Sequence, residues 1–162
     1  MFNIGDKIVY PVYGAGIIES VEEKEILGEK KKYYILRIPI DDMRVMIPMD
    51  SMDDFRIRNV ISYNEHYEVL DVFRQKTSDS LDNWSKRYRN NMDKIRSGNI
   101  YSIADVIKNL MIRDREKGLS PGEKKILENA KQILFSELIV VTGLKFYEID
   151  RIIEDTLFGE DS

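Results

Sequence analysis

The pattern of hydrophobic and polar positions changes near residue 60. Before this point, short runs rich in β-branched and aromatic residues alternate with turn residues, a pattern typical of strands. The runs are KIVYPV, GAGIIESV, KKYYILRI, RVMIP and FRIRNVI. Gly28 separates two alternating runs as a hairpin turn does. Four or five short strands in about 55 residues predict a small, curled antiparallel sheet or an SH3/Tudor-like β barrel.

After this point the hydrophobic residues recur at helical spacing. The spacing predicts five helices, over residues 63–74, 84–96, 102–117, 121–141 and 146–157. Asp82 or Asn83 is a suitable N-cap for the second helix. The fourth helix has a specific start signal, in which Ser120 is the N-cap, Pro121 takes the first helical position and Glu123 completes a capping box.

The predicted fold class is therefore α+β. A β domain is expected over residues 1–58, and an all-α bundle of about five helices over residues 59–162. A chain of this composition, 43% hydrophobic and 33% charged, is able to bury a core and remain soluble. No apolar run approaches 18 residues and no signal peptide is present, so the sequence predicts neither a membrane span nor export. The absence of cysteine suits a reducing cytoplasm.

Catalytic chemistry is poorly supported by this sequence. His66 is the only histidine, and a lone histidine without cysteine makes a poor metal site. The glycine–lysine stretches GEKKKY and GLSPGEKK both lack the spacing of a phosphate-binding loop. The sequence thus predicts a protein with no enzymatic activity, no cofactor, no metal and no small-molecule substrate.

Charge is unevenly distributed along the chain. The formal net charge is −4, yet residues 84–131 hold 12 basic and 6 acidic side chains. Residues 1–55 and 132–162 are both acidic. Because charges are screened over about 8 Å at physiological salt, a basic middle segment can present a positive surface whatever the total charge is.

The stretch DNWSKRYR starts this basic segment and holds the only tryptophan, Trp84. On a helical wheel Trp84 heads an apolar stripe with Tyr88, Met92 and Ile95, which favours a core position. Its place in the first turn of a helix, beside basic residues, instead favours an aromatic side chain that contacts a base while cations hold phosphates. Spacing alone leaves both interpretations open.

The strands offer a different kind of surface. An exposed strand edge can bind a partner's strand through backbone hydrogen bonds. The charged residues around the hairpin EEKEILGEKKKYYILRI can also protect such an edge from aggregation. The two interpretations are compatible, since a protected edge can still be a selective one.

Several stretches of the sequence resemble a known family. IGDKIVYPVYGAGIIESVE resembles the start of the RNA polymerase interaction domain shared by CarD/CdnL proteins and the transcription–repair coupling factor. The coupling factor is a helicase with Walker motifs, which this chain lacks. NWSKRYRNNMDKIRSGN, IADVIKNLMIRDREKGLSPGEKK and KQILFSELIVV resemble the helical DNA-binding domain of stand-alone CarD/CdnL proteins. The similarity runs from Phe2 to about Leu157.

The resemblance implies a bacterial transcription regulator without enzymatic activity, acting in the cytoplasm and associated with the nucleoid through RNA polymerase. Its β domain is expected to bind the lobe of the polymerase β subunit by pairing strand edges. Its helical domain is expected to contact promoter DNA at the upstream edge of the bubble, with a tryptophan inserted into the minor groove near the −10 element. The implied outcome is a more stable open promoter complex.

The family's functional residues fall on specific positions here. The inserted tryptophan matches Trp84, and Tyr88 is expected to pack within the bundle. The resemblance implies DNA contacts at Lys86, Arg87, Arg89, Lys124 and Lys125. It implies polymerase contacts at Lys24 and Ile26, and a second cationic contact at a position occupied by Met46. Either Arg44, two residues earlier on the same face of the strand, supplies that charge, or the contact is apolar here.

A second hypothesis comes from a different class. The chain is then a protein–protein adaptor that uses both domains and never contacts DNA. The salt dependence of binding separates the two, because binding to several phosphates weakens steeply as ionic strength rises.

Overall fold

The computed structural model describes residues 2–11, 13–53, 55–75 and 83–159. An antiparallel sheet is followed by a bundle of helices, which confirms the predicted α+β class. The strands are β1 Lys7–Tyr10, β2 Gly14–Ile26, β3 Glu29–Ile38, β4 Met43–Pro48 and β5 Arg58–Asn59. The helices are α1 Glu65–Arg74, α2 Trp84–Arg96, α3 Ile100–Lys117, α4 Pro121–Thr142 and α5 Phe146–Phe158. A short 3₁₀ helix, Met49–Ser51, follows β4.

The sheet has the order β4–β3–β2–β1–β5 and is open, with β4 and β5 at its two edges. The predicted closed barrel is therefore wrong in this respect. Closure needs strands that pair all the way round, and the last strand is too short for this because FRIRNVI contributes only the two residues of β5. An open sheet keeps the outer edge of β4 available for pairing.

The β2–β3 hairpin is longer than the hydrophobic pattern predicts. The strands pair from Ile17 with Arg37 to Ile26 with Glu29, with an irregularity at Glu19. The two turn residues are Leu27 and Gly28, with φ of 54° and 80°. Two consecutive positive φ angles are what a tight two-residue hairpin turn requires, and glycine adopts them at little cost.

The five predicted helices are confirmed, with small differences in their bounds. The capping box of α4 is present, since the Ser120 Oγ accepts from the Glu123 N–H while the Glu123 carboxylate accepts from the Ser120 N–H. Asn83 is the N-cap of α2, and Asp82 lies outside the described residues. Asn99 also caps a helix, so α3 starts two residues earlier than the prediction. No helix in the described ranges has the length and hydropathy needed to cross a membrane.

The two parts pack against each other through α4 and the start of the sheet. Val140 of α4 is buried with Val9 and Ala15. The Ser136 Oγ accepts a hydrogen bond of 2.8 Å from the Ala15 N–H. Gly14 has φ of 112°, and any side chain at this position would collide with Ser136. The side chain of Ser136 in the bundle thus contacts the backbone of the sheet directly.

A buried ion pair strengthens the same junction. The Glu137 side chain is only 2% exposed, and its carboxylate oxygens accept from the Arg58 guanidinium at 2.8 and 2.9 Å. The Ile61 N–H donates to Glu137 Oε2 at 2.8 Å. Because Arg58 belongs to β5 and Glu137 to α4, this ion pair fixes the sheet relative to the helices.

Candidate nucleic-acid interface

Trp84 is the first residue of α2 and is 47% exposed. The side chain of Asn83 accepts hydrogen bonds from the N–H groups of Ser85 and Lys86 at 2.9 and 3.2 Å. This cap fixes the start of the helix, because it satisfies two backbone donors that have no partner within the helix. The tryptophan is therefore presented from an ordered first turn.

The indole ring lies against the start of α4. Trp84 Nε1 donates to the Ser120 Oγ at 3.2 Å. The ring also stacks on Tyr88, with ring centroids 5.2 Å apart and planes inclined by 26°. A methyl group at Gly122 would lie 3.8 Å from Tyr88 and 3.9 Å from Trp84, so α4 passes close beneath both rings. One side of the indole is supported by protein while the other side faces solvent.

The apolar stripe on α2 continues inward from this ring. Tyr88 and Met92 pack against the helical core, and Ile95 is 8% exposed within it. Trp84 does not belong to that core cluster. The predicted stripe is correct for its last three members, and the structure resolves the question about the first in favour of an exposed ring.

Four of the predicted DNA-contacting cations are exposed. Lys86 and Arg89 lie three residues apart on α2, on the side away from the core stripe. Lys124 and Lys125 are exposed in the first turns of α4, directly after the residues that contact Trp84. The structure thus brings the starts of α2 and α4 together, and each of the two helix starts carries exposed basic side chains.

Arg87 differs from these four residues. Its Nε donates to Glu123 Oε2 at 2.7 Å, and its side chain is only 12% exposed. The predicted role in holding phosphate does not fit this position, since the guanidinium points inward to a buried carboxylate. The physical reason is the packing of α4 beside α2, which brings the buried carboxylate of Glu123 within hydrogen-bonding distance of Arg87.

Glu123 connects Arg87 to the tryptophan. Its carboxylate contacts the Arg87 guanidinium and accepts from the Ser120 Oγ at 3.1 Å, while the same Ser120 oxygen accepts from Trp84. Arg113 also approaches, with Nε 3.9 Å from Glu123 Oε2. Burial acts to raise the pKa of Glu123, but the hydrogen bonds and charge of Arg87, with the Ser120 contacts, lower it below its usual value of 4.5.

We expect acid to loosen the support of Trp84. The pKa of Glu123 is lower in the folded chain than in the unfolded chain, so its stabilisation is complete above pH 4.5 and is lost as pH falls through the folded-state pKa. The fluorescence of Trp84, the only tryptophan, measures this change. Glu123→Gln should abolish that step of the titration, whereas Glu128→Gln, at an exposed position on α4, should retain it. Identical titrations of the wild type and Glu123→Gln would contradict the assignment.

The predicted polymerase-contacting residues share one face of the sheet, which we call the docking face. Lys24 and Ile26 are two residues apart on β2, and Arg44 and Met46 are two residues apart on β4. The strand β3 lies between β2 and β4 and relates the two pairs. Lys24 is opposite Lys31 of β3, and Met46 is opposite Ile35, which lies four residues after Lys31 on the same strand. Side chains at even separations point to the same face.

The charges on the docking face are partly neutralised within the chain. Arg44 donates to both carboxylate oxygens of Glu19, at 2.8 and 3.2 Å. This hydrogen bond lowers the pKa of Glu19. Met46 is 43% exposed and Ile26 is 53% exposed, so apolar side chains make up much of the face. Lys24 lies 3.7 Å from Glu22 and is half exposed.

Sequence patterns missed the residues that join and support these surfaces. Arg58 and Glu137 are 79 positions apart, and no local spacing connects them. Ser136 lies within an apolar helix without any motif. The capping box gave Ser120 and Glu123 a role at the helix start, but the contact of Ser120 with the indole depends on tertiary packing.

Comparisons with known proteins cover nearly the whole chain. The family described as CarD-like/TRCF RID domain matches residues 2–61, and the family described as CarD, C-terminal domain, matches residues 68–154. A curated relative, "Putative transcription factor YdeB" of Bacillus subtilis (strain 168), is 46% identical over 144 residues. That match covers 89% of this chain and 94% of the relative.

The chain is also similar to solved structures. The solution NMR structure of the 72-residue N-terminal domain of Myxococcus xanthus CarD is 27% identical and has a TM-score of 0.32. The match covers 36% of this chain and 79% of that domain.

The order of a sheet domain and a helical domain, each matched by its own family, defines a two-domain transcription regulator that is tied to RNA polymerase. The chain belongs to the CarD family.

Proposed function

We propose that this protein binds the lobe of the RNA polymerase β subunit through its sheet and promoter DNA through α2 and α4, and thereby stabilises the open promoter complex. The observation that carries the proposal is the position of Trp84, which is half exposed and hydrogen-bonded to the start of α4, where the starts of both helices carry exposed cations. The proposal assigns the protein no enzymatic activity and places it in the cytoplasm, associated with the nucleoid through polymerase.

The sheet supplies the polymerase-binding surface. The outer edge of β4 has no neighbouring strand among the described residues, so its backbone groups are available for a strand of the lobe. Met46 lies on β4 itself, and Lys24 and Ile26 lie on the same docking face two strands away, on β2. Arg44 contributes less charge than its sequence position suggests, because Glu19 already pairs with it.

The starts of α2 and α4 supply the DNA-binding surface. An exposed indole with one supported side can insert between base pairs in the minor groove near the −10 element, while nearby cations hold the phosphates. We assign the phosphate contacts to Lys86, Arg89, Lys124 and Lys125. Arg87 instead holds Glu123, and through it supports Trp84.

Binding to polymerase explains how an acidic protein acts on DNA. The net charge of −4 disfavours binding to free DNA, and four cations with one aromatic ring make a weak DNA-binding site. Attachment to the lobe raises the effective concentration of this site at one place on the promoter. The ion pair and apolar contacts between the sheet and α4 hold the two parts together, and we expect the ring to reach the same base step in each complex.

A small difference in the free energy of DNA contacts is sufficient to stabilise the open promoter complex. Only contacts that differ between melted and closed promoter shift the equilibrium. A differential contact of about 1–3 kcal/mol lengthens the lifetime of the open complex about 5- to 150-fold. Stacking on a base contributes energy of this order.

The proposal is tested by the half-life of the open promoter complex, measured with and without the protein at several salt concentrations. We expect a longer half-life with the protein. Neutralising four phosphates predicts that the protein's affinity for DNA in the complex falls with a log–log salt slope of about −3.6. Polymerase binding without a salt-dependent DNA contact or a change in half-life would instead support the adaptor hypothesis.

A further inference from the structure

The tip of the β2–β3 hairpin extends beyond the rest of the sheet. β1 pairs with β2 only up to Ile17, and β4 pairs with β3 only from Tyr33 onward. Every residue from Val21 to Lys32 is exposed. This two-stranded ribbon is the part of the docking face that projects furthest from the body of the protein.

The two faces of the ribbon carry different charge pairs. On the face away from the docking face, Glu23 is opposite Lys32 and Glu25 is opposite Lys30, so unlike charges meet across the strands. On the docking face, Lys24 is directly opposite Lys31. Like charges at directly opposite positions destabilise a sheet, and no need of the fold explains this pair.

The acidic residues on the docking face neutralise the pair only in part. Glu22 lies 3.7 Å from Lys24, and both side chains are about half exposed. Glu29 is opposite Ile26, at the end of the ribbon. Within the described ranges, Lys31 makes no ion pair. It is therefore a cation on the docking face whose charge remains available to a partner.

The second cationic contact of the docking face lacks a free cation on β4. Its expected position holds Met46, which has no charge, and Arg44 is held by both oxygens of Glu19. Lys31 lies on the same face as both residues, and directly across from Lys24. The register thus offers a replacement that the linear sequence does not indicate.

We propose that Lys31 is a polymerase-binding residue, and that Lys24 and Lys31 together bind a carboxylate on the surface of the β-subunit lobe. This inference rests on the proposed function, since it takes the lobe as the partner. A carboxylate between two ammonium groups relieves their repulsion, so the unfavourable pair in the free protein becomes favourable in the complex. Ile26, next to Lys24 on the same face, supplies an apolar contact beside this charge cluster.

The test compares three alanine variants of the full chain for affinity to the purified β lobe. Lys31→Ala and Lys24→Ala should each weaken binding by about 5-fold. Lys32→Ala is the matched control, because Lys32 is adjacent in sequence and exposed but points to the opposite face, and it should bind as the wild type does. Equal losses of affinity in Lys31→Ala and Lys32→Ala would overturn the proposal, because the loss would then follow from the removal of any positive charge on the hairpin.

The outcomes separate this inference from the proposed function. If Lys24→Ala weakens binding and Lys31→Ala does not, the role assigned to Lys31 is wrong, and the docking face remains supported as the polymerase-binding surface. If neither variant weakens binding, the docking face itself is contradicted.

Reversing the charge of Lys31 distinguishes a role in binding from a role in the stability of the hairpin. Lys31→Glu places an acidic residue opposite Lys24, which should protect the ribbon amides more strongly from hydrogen exchange. The same variant should bind the lobe more weakly than Lys31→Ala. Weaker binding together with reduced amide protection would contradict the proposal, since the loss would then come from a damaged hairpin.

Discussion

Replacing Arg58 with alanine is expected to lower the free energy of unfolding by about 3 kcal/mol. Among the described residues, the variant leaves the carboxylate of Glu137, which is 2% exposed, with the Ile61 N–H as its one remaining donor. A buried charge without its partner costs about 3–5 kcal/mol, and the lower end applies because the Arg58 side chain is 34% exposed. Thermal or denaturant unfolding measures the change.

The matched control for this prediction is Arg74→Ala. Arg74 pairs with Asp71 on the surface of α1, and both side chains are 59% exposed. Exposed ion pairs contribute about 0–1 kcal/mol, so this variant should unfold nearly as the wild type does. Equal destabilisation by the two variants would contradict the view that the junction between sheet and bundle depends on the buried pair.

Replacing Trp84 with alanine is expected to shorten the half-life of the open promoter complex by about 5- to 150-fold while leaving affinity for the polymerase lobe unchanged. The reason is that Trp84 lies at the start of α2, far in sequence from the sheet, and its exposed side is available to DNA. Truncation of a buried tryptophan costs about 3–5 kcal/mol of stability. Trp84 is 47% exposed, so its loss should cost well under that range.

A matched control is available for an exposed aromatic residue. Tyr147 on α5 is 66% exposed and lies in the acidic last segment of the chain. Tyr147→Ala should leave both the half-life of the open complex and the affinity for the lobe unchanged. A large loss of stability in Trp84→Ala, with a half-life equal to that of the wild type, would assign Trp84 to the core and remove it from the DNA interface.

Local patterns predicted the elements of this fold well, because each element follows from periodicity and caps. The five helices, the Gly28 turn and the capping box at Ser120 and Glu123 all appear in the structure. The closed barrel was wrong, since the length of β5 depends on how the chain turns toward α1 and not on β propensity alone. Propensity favours strands in general but does not fix how far they pair.

The candidate site was less fully predictable. The wheel placed Tyr88, Met92 and Ile95 correctly, yet it favoured the same core role for Trp84. The family resemblance placed Arg87 among the phosphate-binding residues. Both differences come from α4, which supports one side of the indole and supplies Glu123 to Arg87. Each of these contacts joins two residues that are 36 positions apart in the sequence. Such contacts depend on how the helices pack, and a single sequence carries no signal for them.

Strand register added the remaining information about the docking face. The sequence shows three consecutive lysines, at 30, 31 and 32, without distinguishing them. The pairing of β2 with β3 gives the middle lysine a different face and a different opposite residue from the other two. It also shows that Arg44 is paired with Glu19, so its sequence position overstated the charge it offers.

The most direct test of the account places a fluorescent base analogue at the upstream edge of the bubble, in the base step next to the −10 element. With wild-type protein bound to polymerase, insertion of Trp84 should unstack the analogue and change its fluorescence. With Trp84→Ala, bound to polymerase with equal affinity, the signal should remain at the level seen without the protein. The same fluorescence change with both proteins would contradict the insertion of Trp84 into promoter DNA.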